Sequence, residues 1–128
     1  MTIWLAVALG GAFGALARFA VARAFLERGL TGFPWATLTV NLLGAAVLGA
    51  SSILLAHRGA SPPLRLGWMA GLLGAFTTYS TFNLELIQLL LEGRRAAAAL
   101  YGLATLVGAL AAGWLGIVAA RTLTGTGP

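Results

Sequence analysis

The ten residues GAFTTYSTFN, positions 74 to 83, include five hydroxyl side chains, Thr77, Thr78, Tyr79, Ser80 and Thr81, inside a run otherwise apolar enough to cross a membrane. A hydroxyl carried into hydrocarbon loses its water partners and must find a protein partner or a wet cavity. The same demand falls on Thr37 and Asn41, four apart and so on one face of a helix, and on Tyr101 and Thr105, spaced alike. Bonding between helices accounts for any one of these residues, but several such pairs in one short chain favour a polar route through it. Two charges join them, Arg18 and Glu85, each well inside an apolar run. Arg18 would cost about 2.5–3.5 kcal/mol at the bilayer centre. It therefore either binds backbone carbonyls or lines a vestibule, and Glu85 either pairs with an arginine or faces water.

Other chemistries lack their residues. With no Cys and a single His, His57, the chain has neither a thiolate site nor a histidine cluster, and no nucleophile with an adjacent base is visible, so an enzyme is not expected. The eight Arg are scattered between apolar runs without interleaved aromatics, which argues against a nucleic-acid partner. A composition 59% hydrophobic and 9% charged places the chain among all-α membrane proteins. The first 17 residues carry no charge, so they lack the basic start of a secretory signal and read as a retained span.

The elements that must hold these residues are four membrane-spanning helices, expected at about 3–26, 34–57, 65–92 and 96–120, since a span needs roughly 20 residues. They form a single domain, 1–128, with a turn at GASPPL, 59–64. The third helix is expected to be broken. Gly71 and Gly74 loosen it, and the β-branched Thr77 and Thr78 with Ser80 and Thr81 compete for its backbone bonds. The competing expectation is an intact helix whose hydroxyls bond one turn back. Backbone freed at membrane depth must be buried in protein or line a cavity, the setting of ion sites.

Arginines orient membrane chains, and here they barely do. Arg23, Arg28, Arg94 and Arg95 fall on one side against Arg58, Arg65 and Arg121 on the other, which leads to an expectation of dual topology and an antiparallel homodimer. In such a dimer the carbonyls of Gly74 and Thr77 from both chains would meet as an oxygen cage for a monovalent cation. The small residues Gly10, Gly14, Gly44, Gly49, Gly108, Gly113 and Gly116 read chiefly as close helix packing.

Three stretches, GGAFGALARF (10–19), PWATLTVNLLG (34–44) and GLLGAFTTYSTF (71–82), in this order and in a chain of this length, resemble the Fluc family of fluoride channels, also called CrcB. The resemblance covers about three of the four helices. It implies an antiparallel dimer in the cell (inner) membrane, with two fluoride pores, a structural sodium ion on the two-fold axis, and passive conduction of fluoride that confers fluoride resistance. By position, Gly74 and Thr77 would supply the sodium-binding carbonyls, Asn41 would line the pore, and Ser80, Thr81, Tyr101 and Thr105 would form a hydroxyl track. Arg18 and Glu85 match the family's arginine and glutamate, while Tyr79 and Phe82 match its paired aromatics and would turn their positive ring edges to the anion. Tyr79 stands where the family usually has Phe, and its added hydroxyl would either donate to fluoride or occupy the site. The alternatives are a small proton-coupled multidrug transporter, which needs a carboxylate in the first helix that this chain lacks, and a non-transporting assembly subunit.

Overall fold

The structure, a computed structural model, describes residues 2–126. Helix α1 (Ile3–Glu27) starts at Thr2, whose hydroxyl accepts the Leu5 N–H, and α2 (Trp35–His57) follows a short link. A segment interrupted twice comes next: α3 (Pro62–Leu66), a π-helical stretch Gly67–Leu73, and α4 (Gly74–Phe76), then a break. The chain resumes as α5 (Tyr79–Leu91) and ends in α6 (Arg95–Thr124). Among the described residues no strand occurs.

Two helix limits differ from those expected. Pro62 and Pro63 open α3 rather than belonging to a turn, because the first helical turn has no use for the N–H that proline lacks. The last helix runs on to Thr124, where Gly125 closes it.

Two helix pairs carry the fold. Helix α2 lies along α6, and α1 lies along the π-helical stretch and α4. Lipid gives two apolar helices little reason to associate, so contact depends on how closely their backbones approach. A Cβ at Gly14 would fall on the Leu72 carbonyl, and one at Gly49 on the carbonyl of Gly113. Gly71 is likewise a packing residue, its α-carbon turned to the backbone of Val7 and Gly10, where the sequence suggested a loosening role. The pairs meet where α2 lies against α1 and the π-helical stretch, while α5 packs on α6, its Phe82 and Leu89 forming a small core with Ala98 and Tyr101.

The outer surface is apolar. Trp4, Phe13, Leu110 and Trp114 are all mostly exposed, and α1, α2 and α6 are each long and apolar enough to cross a membrane. This is a membrane protein.

Candidate functional site

The break falls at Thr77 and Thr78, both extended, with φ, ψ of −82°, 156° and −150°, 117°. Thr77 bonds its hydroxyl one turn back, to the Leu73 carbonyl at 3.0 Å, and the helix breaks directly after it. Both behaviours foreseen for these hydroxyls therefore coexist. Thr78 caps α5, accepting the Thr81 N–H at 3.2 Å, and its hydroxyl also meets those of Thr81 (3.1 Å) and Ser80 (3.3 Å).

Asn41 holds the break open. Its carbonyl accepts the Thr78 N–H at 2.8 Å, and its amide nitrogen donates to the Thr78 carbonyl at 3.1 Å, so one side chain replaces two lost ladder bonds. In an unbroken helix the Thr78 N–H would bond the Gly74 carbonyl. Arg18 does the same service for α4, donating from Nε to the Ala75 carbonyl at 3.0 Å. It also lines a cavity of about 130 Å³ with Thr37, Thr78, Thr81 and Glu85.

Glu85 takes two hydroxyls. Thr37 donates to Oε1 at 2.9 Å and Tyr101 to Oε2 at 2.6 Å, tying α2, α5 and α6 together. These partners replace the arginine that the sequence offered as one possibility. Glu85 also lines a second, outward cavity of about 220 Å³. One member of each polar stripe read from residue spacing, Thr37 and Tyr101, thus meets the same residue of α5. Tyr101 is fully buried, and the Phe82 ring, 3% exposed, meets it edge-on with centroids 5.1 Å apart.

On the far side of the break lies a cavity of about 390 Å³, lined among others by Asn41, Thr77, Thr78, Tyr79, Phe82 and Thr105. The Thr105 hydroxyl is buried there without a hydrogen-bond partner among the described residues. Tyr79 is 73% exposed, its ring 5.8 Å from that of Phe82, so the expected aromatic pair has one buried and one open member. Gly74 and Ser80 are exposed as well.

Residues 5–117 match the family model described as CrcB-like protein, Camphor Resistance (CrcB). The chain belongs to the CrcB family. Among relatives named "Fluoride-specific ion channel FluC", that of Sorangium cellulosum is 45% identical over 96% of this chain and 98% of the relative. Those of Geobacter sulfurreducens and Saccharophagus degradans are each 42% identical over 96% of this chain, and cover 100% and 92% of the relatives. In this CrcB chain, spacing alone had marked Thr37, Asn41, Tyr101 and Thr105. It missed the Asn41–Thr78 exchange, although two signals were present: an amide in an apolar helix that needs partners, and a broken helix with backbone groups to offer. The bond from Trp68 to Ser51, 2.8 Å, was equally unforeseen.

Proposed function

We propose that this CrcB-family chain is a fluoride-specific channel that lets the ion leave the cell passively and so confers resistance to it. The observation that carries the reading, beside its FluC relatives, is the string of three cavities along the break. The outward cavity and the small inner one share Glu85, and the inner one and the large one share Thr78. Fluoride is small and tightly hydrated, so a pore must offer donors in place of water and exclude larger anions by its bore. Asn41, Thr81 and Thr105, which line these cavities, offer such donors, and Phe82 narrows the space beside them. Glu85, engaged by two hydroxyls, fixes the wall rather than serving as a donor.

The interrupted segment crosses the bilayer as the third of four spans in a single domain, in the cell inner membrane. The near balance of arginines supports insertion in both directions and an antiparallel homodimer. A structural sodium ion on the two-fold axis fits the donors present. With the Thr78 N–H taken by Asn41 and Thr77 extended, the Gly74 and Thr77 carbonyls leave the helical ladder, and hard oxygens suit such a cation. When bound, the ion would screen these carbonyls from each other.

The test is efflux from liposomes holding the purified protein, read with a fluoride electrode beside a chloride control. Fluoride release without chloride release, lost in Phe82→Ile, is the expected result. Retention of fluoride by the unaltered protein would overturn the reading. A reporter at the carboxyl terminus seen from only one side of the membrane would remove dual topology.

A further inference from the structure

The outward cavity poses an electrostatic problem for an anion. Its lining includes two carboxylates, Glu85 and Glu92, beside Thr31, Gln88 and one cation, Arg94. An anion passing such a mouth would meet repulsion unless one negative charge were offset. Arg94 is placed to offset it. Gly93, in the left-handed region at φ 75°, turns the chain sharply after α5 and sets Arg94 back over the opening. From there one guanidinium nitrogen pairs with Glu92 at 3.3 Å, while another donates to the Gly32 carbonyl in the link between α1 and α2. Arg95 follows at the start of α6, outside the lining.

We propose that Arg94 sets the charge of the channel mouth, neutralising Glu92 so that an anion can pass the two carboxylates, and that this, more than its clip to Gly32, is its contribution to conduction. The proposal rests on the fluoride-conducting reading. Arg94 touches no conducted ion in this scheme and acts through Glu92.

The pair is only half-buried, so its field is partly screened and its effect moderate. A unit charge about 5 Å away in a water-like medium alters an ion's local concentration about three- to fivefold. Arg94→Ala should therefore lower fluoride efflux about three- to fivefold at about 0.01 M ionic strength, and the difference should fade toward about 1 M, where the Debye length shrinks to about 3 Å. Arg94→Lys should keep most of the flux. The deciding variant is the double change Arg94→Ala with Glu92→Gln, which restores the charge balance without restoring the clip and should recover wild-type flux. Unchanged efflux in Arg94→Ala overturns the proposal, as does a loss that the double change does not rescue, since that would assign the effect to the clip. Failure of the unaltered protein to conduct is a separate result and counts against the channel reading itself.

Discussion

The two halves of the interrupted segment are held in opposite ways. Before the break, the π-helical stretch and α4 lie against α1 with bare backbone on both sides, at Gly10, Gly14, Gly67 and Gly71. After it, α5 is held by side chains, with Glu85 between Thr37 and Tyr101 and Phe82 against the Tyr101 ring. Where lipid supplies no hydrophobic drive, close backbone contact is the main source of cohesion, while buried polar bonds fix position at a modest net gain. One half anchors the segment, and the other forms the wall of the cavities.

The sharpest way to break this division is at the anchor. In Gly14→Leu the new side chain meets the Leu72 backbone, which cannot yield as a flexible side chain would. Overpacking usually costs about 1–3 kcal/mol, and the upper end or beyond is expected here, seen as loss of monodisperse protein in detergent. Normal yield and thermal stability would show that the anchor is not backbone packing. At the junction, Asn41→Leu strands the N–H and carbonyl of Thr78. Each orphaned group costs about 1–3 kcal/mol, so the two together are expected to lower stability by at least about 2 kcal/mol, with fluoride efflux lost. Undiminished flux would mean that the break holds itself open. The smallest effect on stability is expected at Thr105→Val, which keeps the shape and removes a hydroxyl that none of the described residues engages. The melting temperature should stay within the range of a change of about 0.5 kcal/mol, or rise, while flux falls severalfold. If flux is unaltered, the hydroxyl lies off the conduction route.

Much of the architecture could be read from the chain because membrane physics leaves few choices. Uncharged runs of span length can only be helices, and α1 and α2 fall within a residue of their expected limits. The break was legible in the hydroxyls of 77–81, since residues that compete for backbone bonds weaken a helix where they cluster. The polar stripes followed from spacing by four.

Partner identity was not legible, because it depends on how helices distant in sequence rotate and slide against each other. Glu85 offered the same carboxylate to arginine, water or hydroxyl, and only the packing of α2 and α6 on α5 gave it to Thr37 and Tyr101. Asn41 and Thr78 each needed partners, and only the register of α2 against the break made them partners of each other. The sequence by itself determined which groups must be satisfied and where the third helix must fail, for those are local consequences of side-chain chemistry in a medium without water. The tertiary structure decided which group satisfies which, because hydrogen bonds are directional and short, and that choice rests on approach distances that the glycines permit.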